Sequence, residues 1–489
     1  MKRTPRFFAL ALGAILLASA SAQSGNPGGD PAQIHWLRVS SDHIVDPKGE
    51  TVYLRGFGLG GMLHMENFIN GYTGNEEAMR EGLLEVLGEK KYNLFFETLL
   101  ENYFTEPDAA YVQSLGLNLI RIPINYHLFE DDMNPRVIRE EAFRHLDRVI
   151  DLCAKHGIYT IIDLHALPGF QNQHWHSDNP THKALFWKHK DFQDRAVLLW
   201  EAIAKRYKDQ PWVAGYDLIN EPADPSGKAL FPYYARLRDA VRKIDPKHIL
   251  FLEGDRYAAD FSAFTEVWDN TVYTNHDYAR PGFGGDYPGI IDGKHFDKDK
   301  IEQDFLKKSA FMLDHKAPIW VGEFGPLYTG NPALDATRYQ VLRDQLAYYR
   351  KYNASWCIWL YKDMGLHAIL HQRADTPYMQ LVAPFLARKE TLGADAWGSS
   401  DKNVRQVMQP LEDLFAKEFP TYEPYPSGQR RELRQFVRHM LISEALLPEY
   451  CALFKGKSEA ELIALARSFR FENYGRRQPV EDILAGREQ

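Results

Sequence analysis

The chain has 489 residues, a formal net charge of −8 and 13% aromatic residues. This length exceeds what one hydrophobic core usually holds, so we expect one large domain with additions rather than two equal ones. The acidic balance argues against a nucleic-acid-binding protein, which would normally carry a basic patch. Charges of both signs are spread along the chain, which is typical of a surface that keeps a protein soluble.

The N-terminus has the pattern of an export signal. A basic start, a short apolar run and a small-residue cleavage site follow one another, and these are Lys2, Arg3 and Arg6, residues 7–18, and Ala20-Ser21-Ala22. The apolar run is short for a membrane span, so we expect residues 1–22 to be removed and no membrane anchor to be retained. The mature protein should begin near Gln23 and be secreted or periplasmic. Residues 23–33 are rich in Gly, Pro and Ser, which predicts a flexible lead-in.

Short apolar runs alternate with helical patterns through the middle of the chain. The eight runs cover residues 51–60, 118–124, 159–166, 213–222, 248–254, 271–279, 318–325 and 355–363. Between them, apolar residues recur at helical spacing, for example over 140–156 and 191–207. This alternation implies a parallel sheet, and eight units predict a closed (β/α)8 or TIM barrel of the α/β class. An open doubly wound sheet is the alternative, but no Gly-rich phosphate loop follows the first strand to support it.

Segments at both ends of the chain lie outside the minimal barrel. Residues 35–40 and 51–56, separated by an Asp-Pro-Lys-Gly turn at 46–49, predict an N-terminal hairpin that leads into the first strand. After the last strand, amphipathic helical patterns dominate. We therefore divide the mature chain into a barrel at 34–368 and a loop and helical extension at 369–489 packed on the barrel.

The chain has three cysteines, Cys153, Cys357 and Cys451. They lie in helical or strand patterns and are too few for a disulfide framework. We expect buried thiols, although the sequence alone leaves one bridge open.

The predicted strands end in polar residues. The tips are Arg121-Ile122-Pro123 on strand two, Asp163-Leu164-His165 on strand three, Asn220-Glu221-Pro222 on strand four, His276-Asp277-Tyr278 on strand six and Gly322-Glu323-Phe324-Gly325 on strand seven, with Trp359 on strand eight. Barrel enzymes keep their chemistry at the C-terminal ends of the strands. We therefore expect these side chains to converge on one pocket.

Glu221 and Glu323 are the candidate catalytic pair. Glycoside cleavage needs one carboxylic acid to protonate the departing oxygen and one carboxylate to attack the sugar or activate water. Arg121 is a candidate to hold a glutamate ionised, and Asn220 to bond the sugar 2-hydroxyl. A salt bridge explains a single glutamate at a strand end equally well. Two glutamates at the tips of separate strands, beside Arg, Asn, His and Tyr, favour catalysis.

The ordered set of strand-end motifs resembles glycoside hydrolase family 5, a family of cellulase-like, retaining (β/α)8 glycosidases. The resemblance covers about residues 35 to 368. It implies that Glu221 is the acid/base and Glu323 the nucleophile, and that the enzyme uses no cofactor and no metal. It further implies supporting or substrate-binding roles at the matching positions, which are Arg121, His165, Asn220, His276, Tyr278 and Trp359.

The loop after strand three departs from simple cellulases. Residues 167–179 combine rings and amides, which is typical of a wall of sugar subsites, and Trp175 is its candidate platform. A metal site at His174 and His176 is less favoured, because the pair lacks the further ligands of a typical zinc site. A polar loop without a ligand role is the third interpretation.

Together, these patterns predict an exported retaining β-glycosidase that acts on a β-linked glucan-like polysaccharide, oligosaccharide or glycoconjugate by double displacement. We expect a monomer whose partner is its carbohydrate substrate. Two alternatives remain. One is a metal-dependent barrel hydrolase that uses His165 and His276. The other is a non-catalytic carbohydrate-binding barrel, which the presence of both glutamates does not favour.

Overall fold

The computed structural model describes residues 36–487, except residues 396 and 398. The predicted export signal at 1–22 and the lead-in at 23–33 lie outside these residues. Within the described part of the chain, no helix combines the length and the apolarity needed to cross a membrane.

A short antiparallel hairpin precedes the barrel, as predicted. Its strands are β1 (Arg38–Ser40) and β2 (His43–Val45), and its tight turn has Ser41 in the left-handed region at φ 56°. The turn predicted at 46–49 also forms, with the Asp46 side chain accepting backbone hydrogen bonds. It leads only to a single bridge between Val45 and Thr51, so the hairpin lies earlier in the chain than expected.

Eight parallel strands close into a barrel, which confirms the predicted fold. In chain order they are β3 (Arg55–Gly58), β4 (Leu119–Asn125), β5 (Tyr159–Ala166), β6 (Val213–Asp217), β7 (Ile249–Glu253), β8 (Thr271–His276), β11 (Ile319–Phe324) and β12 (Ser355–Ile358). Two strands, β9 (Gly289–Ile291) and β10 (Lys294–Phe296), form a hairpin in the loop after β8. Each neighbouring pair in the barrel is parallel, and β12 closes it against β3.

Helices surround the barrel and form most of the extension. They are α1 (Asn67–Asn70), α2 (Glu76–Leu87), α3 (Glu89–Tyr103), α4 (Glu106–Ser114), α5 (Tyr126–Phe129), α6 (Phe143–Lys155), α7 (Lys190–Tyr207), α8 (Leu230–Ile244), α9 (Asp255–Ala258), α10 (Lys298–Lys308), α11 (Ala310–His315), α12 (Pro332–Lys351), α13 (Pro377–Leu392), α14 (Arg405–Glu418), α15 (Gln429–Gln435), α16 (Ser443–Ala452), α17 (Glu459–Arg467) and α18 (Gln478–Ala485). Single 3-10 turns occur at Glu140–Ala142, Trp175–Ser177, Leu185–Trp187, Arg280–Gly282 and Phe471–Asn473, and a π-helical segment at Phe436–Ile442.

The barrel interior changes from apolar to polar along the strands. Strand β4 is buried along its whole length, as expected where helices cover one face and the barrel core the other. Its alternate residues point inward, so Leu119 joins an apolar interior cluster with Phe251 and Trp320. Arg121, two residues further on, lies in a polar layer nearer the catalytic end. The strand period thus places the charged residues directly below the site.

Several strands end earlier than predicted, and β6 and β12 differ most from the prediction. Strand β6 ends at Asp217, so Asn220 and Glu221 lie beyond the regular ladder. Glu221 has φ 44° and its N–H donates to Glu253 Oε2 at 2.6 Å, so the chain turns away from the sheet here. Strand β12 ends at Ile358.

The extension is tied to the barrel by a small three-stranded sheet. Its strands are β13 (Lys362–Asp363), β14 (Leu370–Gln372) and β15 (Tyr474–Arg476), and β14 is the central one. Helix α17 packs against α3, and α16 against α2, so the extension covers the excursion that follows β3. The division of the chain at residue 368 stays a prediction. All three cysteines are buried free thiols.

A buried ion pair anchors the loop after β12. Lys362 Nζ lies 2.5 Å from Asp108 Oδ1 on α4, and both side chains are fully buried. Lys362 also donates to the carbonyl oxygen of Tyr103 at 2.7 Å. These contacts give Lys362 a structural role rather than one in substrate binding.

Replacing Lys362 with Met is expected to destabilise the protein by about 3–5 kcal/mol, because it leaves the buried Asp108 carboxylate unpaired. Urea unfolding at pH 7 measures the change. The matched control is Lys351→Met, because the Lys351 side chain is 61% exposed in its pair with Glu302 and its loss should change stability little. Equal effects of the two substitutions would contradict the structural role of Lys362.

Candidate active site

A cavity of about 850 Å³ opens at the C-terminal end of the barrel. Residues on or after every barrel strand except β4 line it, together with residues of the extension between Trp397 and Arg438. Seven of the predicted site residues lie in its wall, namely His165, Trp175, Glu221, His276, Tyr278, Glu323 and Trp359. The other two, Arg121 and Asn220, are buried directly behind the wall. The predicted convergence of the strand tips is therefore what the fold produces.

Two donors hold the Glu323 carboxylate in place. Arg121 Nη1 donates to Oε1 at 2.6 Å, and the Tyr278 hydroxyl donates to Oε2 at 2.8 Å. Glu323 is 4% exposed, and that exposure faces the cavity. A carboxylate fixed by two donors and open on one side is suited to act as a nucleophile.

Histidines contact both oxygens of the Glu221 carboxylate. His276 Nδ1 lies 2.7 Å from Oε1, and His176 Nε2 lies 2.9 Å from Oε2. His176 comes from the loop after β5, which sequence analysis treated as a sugar-binding wall. The sequence pattern predicts no contact between His176 and the candidate acid/base, and the structure supplies one.

In the site without substrate, the pKa shifts of Glu221 and His276 place their shared proton on His276. Burial raises the pKa of Glu221, but the hydrogen bonds with His176 and His276 outweigh burial and hold that pKa well below its usual range. Burial lowers the pKa of His276, but the charges of Glu253 and Glu323 and the bond with Glu221 outweigh burial and hold it well above the usual range. These opposite shifts favour a proton on His276 Nδ1, which lies 2.7 Å from Glu221 Oε1.

The two candidate catalytic carboxylates lie close together. One oxygen of Glu221, one of Glu323 and a ring nitrogen of His276 all lie within 4.8 Å of one another. His276 Nδ1 is 3.6 Å from Glu323 Oε2, so the imidazole lies between the two carboxylates. In this arrangement, a protonated His276 ring can interact favourably with the negative charges of both Glu221 and Glu323.

Arg121 is surrounded by carboxylates at the floor of the site. Its guanidinium lies 3.1 Å from Asp163, 2.9 Å from Asp217, 3.0 Å from Glu253 and 2.6 Å from Glu323. Burial lowers the pKa of Arg121, but these four charges outweigh burial and hold it well above its usual range. Burial in turn raises the pKa of Asp163 to about 7. The layer therefore holds several acids around one permanent cation.

The glycone side predicted from sequence is built on stacked rings. His165 lies parallel to Trp359 at a centroid distance of 5.3 Å and an interplanar angle of 7°. Burial lowers the pKa of His165 well below its usual range, so the ring is neutral. Asn220 is not directed into the cavity, because its Oδ1 accepts from Arg121 at 2.8 Å and its Nδ2 lies 3.2 Å from His165 Nε2. A direct bond from Asn220 to a sugar hydroxyl stays a prediction.

The cavity wall includes residues beyond the predicted catalytic and substrate-binding set. Glu66 is 4% exposed, and burial together with the charges of Glu323 and Glu221 raises its pKa well above the usual range. Tyr257 lies in α9, where three successive residues have positive φ, a strained turn that directs its ring toward His174 at 5.3 Å. No local pattern distinguishes these residues, because only the folded loops bring them to the cavity.

Among the described residues, three groups each bring three His or carboxylate donor atoms within 4.8 Å of one another. The groups are His64, Glu66 and His165; Glu77, His127 and Asp132; and Glu221, His276 and Glu323. The two histidines of the metal-hydrolase hypothesis, His165 and His276, thus belong to different groups. In the third group the donors already contact one another.

Comparison with known proteins identifies the family. The family model described as Cellulase (glycosyl hydrolase family 5) matches residues 88–365. The chain is 47% identical over 464 residues to a β-xylosidase of Phanerodontia chrysosporium, covering 92% of this chain and 97% of the relative. It is 21% identical over 339 residues to endoglucanase C of Acetivibrio thermocellus, covering 62% of this chain and 96% of the relative.

Among solved structures, an endogalactoceramidase superposes with a TM-score of 0.51 at 17% identity, covering 67% of this chain and 75% of that chain. That likeness concerns the fold alone. The family match includes the strand tips that carry both glutamates, and the xylosidase match covers enough of the chain to include most of the helical extension. The chain therefore belongs to glycosyl hydrolase family 5 and is a glycoside hydrolase.

Proposed function

We propose that the protein is an exported, retaining β-glycosidase that hydrolyses β-xylosides and related β-glucosides. The observation that carries this proposal is the short separation of the Glu221 and Glu323 oxygens, which lie within 4.8 Å. Carboxyl groups are about 5–5.5 Å apart in retaining glycosidases, and roughly 6.5–9.5 Å apart in inverting ones, which need room for a water. A spacing this short supports double displacement.

The choice of sugar rests on the relatives. The β-xylosidase matches 92% of this chain, so it shares the extension that lines the cavity. The match with endoglucanase C covers 62% of this chain. A relative that matches more of the chain at higher identity is the better guide to the substrate, so β-xylosides come first and β-glucosides second.

In the first step, Glu323 attacks the anomeric carbon while Glu221 protonates the departing oxygen. Arg121 and Tyr278 orient the attacking carboxylate through the bonds described above. The proton starts on His276, and its transfer to Glu221 converts an ion pair into a neutral pair. A bound sugar that expels water favours this transfer, because separated charges are costly in a dry site.

In the second step, Glu221 takes a proton from water, and the hydroxide so formed attacks the glycosyl ester on Glu323. The ester bond breaks, the sugar leaves with its original β-configuration, and Glu323 returns as a carboxylate. His276 lies 2.7 Å away and can take up the proton again. No group outside the chain and the water molecule is needed.

Azide should replace the reacting group that each glutamate variant lacks. With a dinitrophenyl β-xyloside and azide, Glu221→Ala is expected to give the β-xylosyl azide, because two inversions occur. Glu323→Ala is expected to give the α-azide, because azide attacks directly with one inversion. Proton NMR of the products distinguishes the anomers.

The wild-type enzyme with the same azide is the control and should give β-xylose. A β-azide from Glu323→Ala, or azide products from neither variant, would contradict the assignment of the two roles.

His176→Phe is expected to weaken acid catalysis selectively. Losing the bond to Oε2 removes an interaction that lowers the pKa of Glu221, so that pKa should rise and the alkaline limb of kcat/KM should move to higher pH. Without its orienting partner, Glu221 should also protonate poor leaving groups roughly 100-fold more slowly. Dinitrophenyl glycosides, which need little protonation, should be affected much less.

The matched control is His182→Phe, since His182 lies near the same loop but contacts Glu432 rather than Glu221. A fall in rate that is equal for good and poor leaving groups, with an unchanged pH profile, would mean that His176 is merely structural.

Export is expected to depend on residues 1–22. In an exporting host, N-terminal sequencing of the secreted or periplasmic protein should find Gln23 or a close neighbour. Recovery of the active enzyme only from the cytoplasm, with Met1 retained, would refute export.

A further inference from the structure

The extension carries a tryptophan that touches loops from four barrel strands. The Trp397 ring lies 4.9 Å from Phe283 and 5.6 Å from Tyr278, both after β8. It also lies 6.0 Å from His367 after β12, 6.3 Å from Phe68 after β3 and 6.4 Å from Trp175 after β5. These are centroid distances of rings in direct contact.

These rings form a continuous wall. His367 contacts Phe68 at 6.2 Å, Tyr278 at 5.9 Å and Phe283 at 6.2 Å, so the members touch one another as well as Trp397. Burial lowers the pKa of His367 to about 3, so it joins the wall as a neutral ring. Rings this close leave no passage for a sugar unit between the loops.

The turn that carries Trp397 is fixed on both sides. Before it, Asp395 pairs with Lys389 at 2.7 Å and accepts from the Ser443 hydroxyl at 2.8 Å. After it, Ser399 accepts from Arg438 Nη2, with 2.6 Å between the hydroxyl oxygen and that nitrogen. These bonds anchor Asp395 and Ser399, the described residues nearest to Trp397 before and after it.

The wall lies on the glycone side of the proposed site. Tyr278, the ring next to Trp397, donates to the candidate nucleophile Glu323. Trp397 also packs against the apolar cluster that contains Phe68 and Trp359. In the proposed mechanism, the leaving group departs past Glu221. A chain bound across the two glutamates would thus meet the aromatic wall with its non-reducing end.

We propose that Trp397 closes the glycone side of the cavity, so that the enzyme accepts only chain ends and cleaves from the non-reducing terminus. The substrate class is then short β-linked oligosaccharides and simple glycosides with a free terminal sugar, not the internal bonds of a polymer. This inference rests on the proposed glycosidase function.

The test uses the full-length protein and 4-nitrophenyl β-1,4-xylo-oligosaccharides, either free or carrying a benzyl ether on O4 of the non-reducing end. Wild-type enzyme should cleave the free compounds, and it should cleave the blocked compounds at least about 10-fold more slowly. Trp397→Ala should raise KM for the free compounds about 10-fold and reduce the difference in cleavage rate between free and blocked compounds. Trp397→Phe should keep most of that difference.

Phe419→Ala is the matched control, because Phe419 is an aromatic residue of the same extension that is 52% exposed and does not line the cavity. It should retain wild-type selectivity. Equal cleavage of free and blocked compounds by the wild-type enzyme would overturn the proposed wall even if Trp397→Ala fails to fold. A wild-type enzyme no more active than Glu323→Gln on any free glycoside would instead refute the glycosidase function itself.

Discussion

The buried Arg121 guanidinium is the interaction on which the catalytic end of the barrel depends. Four carboxylates lie within 3.1 Å of it, in a layer from which water is excluded. Without this cation they would repel one another in a medium that screens poorly. The same side chain donates to Glu323 and to Asn220, the residue before Glu221. One charge thus stabilises the core and aligns both candidate catalytic groups.

The fold and much of the site were predictable because they follow from local patterns. Each strand lies in a mostly apolar run, and parallel strands end at the same edge, so polar tips such as His276-Asp277-Tyr278 had to converge. Family resemblance then gave roles to positions such as Arg121, and the structure places Arg121 against Glu323 as that role requires. Period-two alternation also explains why Arg121 lies inward above Leu119.

The remaining features depend on contacts that no local pattern encodes. Lys362 pairs with Asp108, which precedes β4, so the pair exists only after the barrel closes. His176 reaches Glu221 because its loop folds back over the next strand. Glu221 itself leaves the strand because its N–H meets Glu253, a group on a neighbouring strand. The extension carries only a helical pattern in sequence, and its part in the cavity comes from the segment around Trp397 and from helical residues as far as Arg438.

The aromatic wall and the placement of the proton are connected in our proposal. An open cleft stays wet along its length, and water would stabilise the separated charges on His276 and Glu221. A cavity closed on one side loses its water when a terminal sugar fills it, and the neutral pair with the proton on Glu221 then becomes favoured. The extension also contacts the loop that carries His176, because the His439 ring stacks on Trp175 at a centroid distance of 3.9 Å. In this proposal, Glu221 is therefore protonated chiefly when a fitting sugar occupies the site.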